Sequence, residues 1–480
     1  WRGGHDEGSY TCSWGNYYKL SGDESVRDFL IWLRDSYRAW SREHQYHGFQ
    51  EGPGDHCNHS FENAEEFIAS LCDMDPDDKV NAEIMEDIAH HVGNWVEGIP
   101  AWYDWKKHRF VSHWLGTKTV RNDPPYDFEL AGHARIGTIV IYAYKASKDP
   151  RYLEWCKDYA DKWTGMIERS RDRIPMVTYP KELSAEERMR TYNFEREKVG
   201  DPYVGNLWAF TTLHVVRFLL KVYHYIPNPR YLEAARKAIG LYEGILEEIR
   251  LVNLCLEYQE ATGEDIYQDK LLKWYDKVIL PALEAELRIP DCLIITKKLG
   301  RSFGYNTEGG NIIPYKDPTP AMFLSGFRIS GNCECLVRAM AISAEELGLV
   351  TYSTRDGREH GCASHRYIHG IGEEAADALY YAAQIDKVNY YKKDGTLGLD
   401  EEVAVVCDFS DTCNPVFYFY NSGEESKTVS IDFKEPDLKI QQVGSGGKSM
   451  GMRNGNRAEV EIEPKQVCSA VIKMIHDPVV

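Results

Sequence analysis

Apolar residues recur at helical spacing along most of this chain. From Ser25 the positions Val26, Phe29, Leu30, Trp32 and Leu33 keep one face apolar, as an amphipathic helix requires. The same periodicity predicts helices over 61–72, 81–97, 128–146, 151–168, 205–225, 230–248, 250–262, 265–286, 319–346 and 370–384. Two segments between them read almost alike: Asp149-Pro150-Arg151-Tyr152-Leu153-Glu154 and Asn228-Pro229-Arg230-Tyr231-Leu232-Glu233. Gly22-Asp23-Glu24-Ser25 and Gly263-Glu264-Asp265-Ile266-Tyr267 are looser copies. A recurring corner implies repeated helical hairpins, each burying one face on its neighbours. Such an array either runs on as an open solenoid or closes into a ring with a loop-lined mouth.

The intervening segments read as loops. Residues 1–24 are polar and aromatic, 48–60 are rich in Gly and His, 170–200 carry many charges, and 288–317 read as irregular or as short strands. Near residue 388 the period changes. Val403–Val406, Val416–Tyr420, Thr428–Asp432 and Ala458–Ile462 alternate or run apolar between turns such as Asn421-Ser422-Gly423. That pattern predicts an antiparallel β-sandwich.

At 480 residues the chain can bury a large core, and the length suits roughly two or three domains. No run of about 18 apolar residues is present to span a membrane. A formal charge of -19 argues against nucleic acid as a partner, because phosphate binding needs a basic footprint. It leaves room for an anionic substrate held by a few Arg and His residues. No signal peptide is legible, and a processed N-terminus before Trp1 is an open reading. Most of the 12 cysteines sit in apolar stretches and read as buried thiols. Cys407, Cys413 and Cys468 would suit a disulfide in an exported protein. The 31 Tyr and 12 Trp are core rings or, in the Gly-rich loops, platforms for sugar faces.

The segment Glu129-Leu130-Ala131-Gly132-His133-Ala134-Arg135, followed by an apolar helix and the Asp149 corner, resembles a hairpin of carbohydrate-active (α/α)-toroid enzymes. The terminal β-module is similar to one that several such families carry. The resemblance implies a mainly α protein: an (α/α)6–7 toroid over residues 1–387, then a small C-terminal antiparallel β-sandwich over 388–480. Toroids host both hydrolases and lyases. In Gly54-Asp55-His56-Cys57-Asn58-His59-Ser60, the pair Asn58-His59 resembles that of alginate-lyase-like toroids. There the pair binds the uronate carboxylate and a Tyr moves the proton. β-Elimination needs that carboxylate's charge offset and a base for the α-proton. Asn58 and His59 also read as helix caps before Phe61, and Asn58-His59-Ser60 as a glycosylation sequon.

Other polar-aromatic loops precede predicted helices. Arg121-Asn122-Asp123-Pro124-Pro125-Tyr126 leads to His133 and Arg135, and its prolines stiffen the backbone that aims Tyr126. Tyr203, Asn206 and Trp208 suit sugar hydroxyls and stacking, as do Trp14 and Asn16. Glycines flank Tyr305 and Asn306 and permit close backbone approach. His365 and His369 are four apart, with His360 and Cys362 upstream, yet Gly370 and Ser364 place them in a loop or helix start. Cys333-Glu334-Cys335 resembles toroid arabinofuranosidases with a zinc-bound cysteine nucleophile, but the adjacent Cys pair expected later is missing. No metal and no cofactor are expected.

The resulting expectation is a secreted or periplasmic polysaccharide lyase acting on an anionic, uronate-containing polysaccharide or oligosaccharide. Asn58, His59 and Arg135 would offset the carboxylate, while Tyr126, His133 or Tyr305 would move protons. Trp14, Asn16, Arg121, Tyr203, Asn206, Trp208 and Asn306 would bind sugar. The rival is a hydrolase on the same scaffold with paired carboxylates drawn from Asp6, Glu7, Asp55, Asp123, Asp127 and Glu308. A non-enzymatic helical-repeat binding protein is the third reading.

Overall fold

Each predicted corner is built by its own residues. At the first, the Asp149 side chain accepts from Arg151 N at 3.0 Å with Pro150 at the first helical position. At the second, Asn228 accepts from Arg230 N at 3.2 Å with Pro229 in the same place. The side-chain oxygen satisfies an otherwise unpaired helix-start N–H, and proline spends none there. The looser corners turn through left-handed Gly22 (φ 67°) and Gly263 (φ 71°), where an L side chain is disfavoured.

A computed structural model describes residues 14–44, 63–171, 213–241, 249–284 and 320–332, most of 174–187 and 387–476, and a few isolated positions. Its helices in chain order are α1 Trp14–Ser21, α2 Glu24–His44, α3 Ala69–Met74, α4 Lys79–Val92, α5 Ile136–Ser147 and α6 Pro150–Arg169. They continue with α7 (residues 213–225), α8 Pro229–Gly240, α9 Ile249–Thr262, α10 Gln268–Trp274, α11 Leu280–Glu284 and α12 Pro320–Ser330. α4, α5, α6, α8, α9 and α12 pack successively on one another, the arrangement a hairpin repeat demands. The end of the helix expected over 319–346 and nearly all of the one expected over 370–384 lie outside the described residues, as do the loops at 48–60 and 288–317. No described helix is long and apolar enough to cross a membrane.

Tyr152, Trp155, Cys156, Tyr159, Ala160, Trp163 and Ile167 recur at helical spacing on α6 and are all fully buried. They meet Trp102, Tyr103, Phe110 and Phe218 in one aromatic core. α5 approaches α7 so closely that a Cβ at Gly137 would sit 2.3 Å from the Phe218 ring.

Residues 14–21, read as loop, are helical: Gly15 lets α1 press against α3, with Met74 Cβ 3.2 Å from where its own Cβ would stand. The helix expected from 128 begins later. Residues 129–130 form a strand paired with 177–178, then a tight turn at Ala131–Arg135 leads into α5. Glu129 is pulled into long-range bonds that a helix start there would not make. The helix expected to 97 stops at Val92, where Trp95 folds back on Gly93.

Strands β1 (Tyr103–Asp104) and β2 (Arg109–Phe110) form a hairpin, and β3 (Glu129–Leu130) pairs with β4 (Val177–Thr178). The later strands are β5 Val388–Lys392, β6 Val403–Asp408, β7 Val416–Asn421, β8 Lys427–Phe433, β9 Leu438–Ser445, β10 Lys448–Ser449, β11 Met452–Arg453, β12 Arg457–Ile462 and β13 Val467–His476. They make two antiparallel sheets, ordered β10-β9-β13-β7-β6 and β11-β12-β8-β5. Val405, Phe417, Phe419 and Ile472 of the first share a core with Tyr390, Ile431, Val460 and Ile462 of the second. Leu20 from α1 enters that core, and Leu399 N donates to Leu20 O. Phe327 of α12 meets Tyr418 edge-on at 5.1 Å. Cys407 and Cys468 are free thiols; Cys413 lies outside the described residues.

Candidate functional site

The wall between residues 102 and 135 gathers the most chemistry among the described residues. Its first bend is held by Asn94, a left-handed residue (φ 60°). Asn94 Oδ1 accepts from Trp102 N at 2.7 Å and Tyr103 N at 3.0 Å, and its Nδ2 donates to Tyr103 O at 2.6 Å. Tyr103 and Phe110 then pair across the β1–β2 hairpin.

The loop leading to Tyr126 is tied down at one atom. Tyr126 O accepts from Ser112 Oγ at 2.9 Å, His113 N at 3.2 Å and His113 Nδ1 at 3.0 Å. The His113 ring stacks on Phe128 at 4.1 Å, and Arg109 Nη2 donates to Asp127 O at 3.2 Å. Above this anchor the Arg121 guanidinium lies 4.1 Å over the Tyr126 ring, with Trp114 edge-on at 5.4 Å. Asp123 fixes Arg121 through bonds of 3.0 and 3.1 Å. Half-buried Tyr126 is therefore held by backbone on one side and a cation on the other.

Three buried titratable groups lie on the segment that follows, residues 127–133. Asp127 is buried, and its Oδ1 has no hydrogen-bond partner among the described residues. Glu129 is fully enclosed and accepts from Tyr159 Oη at 2.8 Å, Lys162 Nζ at 2.5 Å, Thr178 Oγ1 at 2.6 Å and Phe110 N at 3.3 Å. Burial works against its charge, but Lys162 and these donors outweigh burial and hold the carboxyl below its ordinary range. His133 is enclosed against the Phe110 ring at 5.3 Å, and neither ring nitrogen has a partner among the described residues. Burial pushes its pKa down to about 4, although Glu129 pulls the other way. The imidazole is neutral at pH 7, with one nitrogen able to donate and one to accept. Unpaired buried polar atoms cost free energy; Asp127 Oδ1 can accept a further hydrogen bond, and the neutral imidazole can donate one and accept one.

Arg135 faces elsewhere. Its Nε donates to Glu65 at 2.8 Å and its Nη2 to Glu66 at 2.5 Å. Successive side chains on an α-helix diverge, but Asn63–Ile68 is a wider π turn, and both carboxylates reach one guanidinium.

Of the sequence-derived candidates, Arg121, Tyr126 and His133 share this wall, while Arg135 is engaged by two glutamates. Trp14 lies exposed on α1, and Asn16 belongs to the same helix. Asn58, His59, Tyr203, Asn206, Trp208, Tyr305 and Asn306 lie outside the described residues, as do Asp6, Glu7, Asp55 and Glu308. His360, Cys362, His365, His369 and Cys333 do too. His113, Glu129, Tyr159 and Lys162 escaped the sequence reading. A lone charge between Phe128 and Leu130 was the available signal for Glu129.

No protein-family model matches the sequence, and no curated protein matches it significantly. One similar solved structure is described as a glycoside hydrolase: 12% identity, covering 86% of this chain and 71% of that one, TM-score 0.36. Another is a GH127 β-L-arabinofuranosidase from Geobacillus stearothermophilus: 10% identity, covering 99% and 73%, TM-score 0.36. At that TM-score, fold and activity have to be read from the chain's own residues.

Proposed function

We propose that this chain is an enzyme that cleaves glycosidic bonds of a carbohydrate by hydrolysis, and that the 102–135 wall is part of its active site. The observation that carries the reading is the polarity of that wall. The rings of Tyr126 and Trp114 meet at 5.4 Å; buried Asp127, whose Oδ1 has no partner among the described residues, follows Tyr126 in the chain, and neutral His133, likewise without a partner there, packs on Phe110 of the same wall. Flat rings suit the C–H faces of sugars, and neutral imidazole suits hydroxyls. A carboxyl with an unsatisfied oxygen can carry a proton to or from a glycosidic oxygen. Its opposing carboxylate would come from Asp55 or Glu308.

Elimination is the second reading, resting on the Asn58-His59 resemblance. Two features weigh against it. Arg135 is neutralised by Glu65 and Glu66, and Arg121 by Asp123. With both sequence-derived arginines paired to carboxylates, a uronate at the wall would meet Asp127 without their charge to offset it, whereas elimination needs that offset.

The test is product chemistry. Xylan, arabinan, mannan, alginate and pectin are each incubated with the protein, following reducing ends and the ultraviolet absorbance of a 4,5-unsaturated uronate. Hydrolysis yields reducing ends without that absorbance, and Asp127→Asn lowers kcat by roughly 100- to 10,000-fold with an unchanged melting temperature. Absorbance rising with the reducing ends would establish elimination instead.

A further inference from the structure

α2 carries large rings on the face it turns to solvent. Leu30, Leu33, Arg34 and Tyr37 are buried on its inner face, and Arg34 is bonded to Asp78 at 2.8 Å and Asn81 at 3.3 Å. On the outer side Phe29 is 37% and Trp32 59% exposed, and Trp14 reaches them from α1 at 41%. The three form a row with centroids 5.5 and 5.7 Å apart and neighbouring planes tilted by 37° and 33°. α1 is itself pinned, with Gly15 pressed against Met74 and Leu20 buried in the β core. The row is thus preorganised, and its apolar area is not consumed by folding. Contiguous exposed apolar surface of this kind marks a binding site.

The rim chooses the occupant. Asp28 and Asp35 stand four residues before and three after Trp32, on the same helix face; Asp35 also accepts from Arg34 Nε at 3.0 Å, which leaves Asp28, among the described residues, as the unbridged carboxylate of the two. Glu24, one turn before Asp28 on α2, accepts from Tyr18 Oη at 3.1 Å, and Arg27 pairs with Glu24. Carboxylates on the helix that carries the rings accept bonds from neutral hydroxyls and disfavour an anionic chain. We propose that Trp14, Phe29 and Trp32 form a stacking platform for consecutive sugar units of a neutral glycan, an anchoring site built on elements other than the catalytic wall. The choice of a glycan rests on the carbohydrate reading above.

The full chain is titrated with cellohexaose, xylohexaose and mannohexaose, with oligogalacturonate as the anionic probe, by tryptophan fluorescence and calorimetry. A neutral hexaose should bind, and Trp32→Ala should weaken it about tenfold at unchanged melting temperature. Trp32→Phe, which keeps a ring, should recover most of the loss. The proposal fails if no neutral hexaose binds, if oligogalacturonate binds more tightly, or if Trp32→Ala leaves affinity unchanged. It also fails if sedimentation shows Trp32→Ala dissolving an oligomer without affecting glycan affinity, since the face would then join two copies. Turnover of a short soluble glycoside in the same samples separates the two readings. Binding without turnover keeps the platform and sinks the hydrolase, and turnover without Trp32-dependent binding does the reverse.

Discussion

The two proline corners and the 102–135 wall are both positioned by hydrogen bonds to side chains, yet they are opposite kinds of structure. At the corners, Asp149 and Asn228 bond a backbone N–H two residues away, in the open. On the wall, Glu129 draws its donors from residues 30, 33 and 49 positions on and from Phe110 19 positions back, with no solvent exposure. Short-range bonds form from local sequence and are individually modest. Long-range buried ones are cooperative, and each partner left alone is costly.

Four perturbations test that contrast, beginning with the most damaging. Glu129→Gln strands Lys162 in a nearly closed site and is expected to cost about 3–5 kcal/mol, read as a fall in the urea midpoint. Glu129→Leu with Lys162→Leu should recover part of that loss; equal damage in the double variant would show that the charge pair is not the source.

His133 makes the wall acid-sensitive. Its folded pKa lies below the ordinary 6.5, at about 4, so between those values the unfolded chain binds more protons. Stability is complete above about pH 6.5 and falls as pH drops towards 4, by roughly 3 kcal/mol. Glu129, whose folded pKa is also lowered, adds loss in the same direction below the ordinary carboxylate range. His133→Phe should flatten the melting-temperature profile between pH 4 and 6.5; an unchanged profile would place the acid sensitivity elsewhere.

Gly137→Ala sits between the extremes. Its Cβ would overlap the buried Phe218 ring, so α5 and α7 must separate, at about 1–3 kcal/mol. Phe218→Leu in the same background should restore part of the loss. The corners should respond least. Asp149→Ala and Asn228→Ala each remove one cap, worth about 1 kcal/mol, and additive shifts are expected because the two caps bond different helix starts. A loss at either corner rivalling that of Glu129→Gln would erase the distinction.

Much of the architecture was legible because its determinants are local. Apolar periodicity located the starts of α2, α4, α6, α8 and α9 to within a few residues, and the Asp-Pro and Asn-Pro corners declared their caps. The strands β6, β7, β8 and β12 were visible as short apolar runs. β5, β9 and β13 were not singled out, because their patterns hold in register only against partners. The site was less legible. Tyr126 and His133 were named from their segment, but nothing near Arg135 in sequence announces Glu65 and Glu66, and nothing near Glu129 announces Lys162.

By itself, then, the sequence determined helix starts, left-handed turns and buried faces, since these follow from side-chain geometry within a turn or two. The tertiary structure alone decided which charges are spent and which stay open. Arg135 is quenched by two glutamates on a π turn and Glu129 is held ionised by Lys162, while Asp127 Oδ1 and the His133 nitrogens are left without partners among the described residues. Charge in a protein interior is set by neighbours brought together over long chain separations, through desolvation and pairing, and neither is encoded at the residue that bears it.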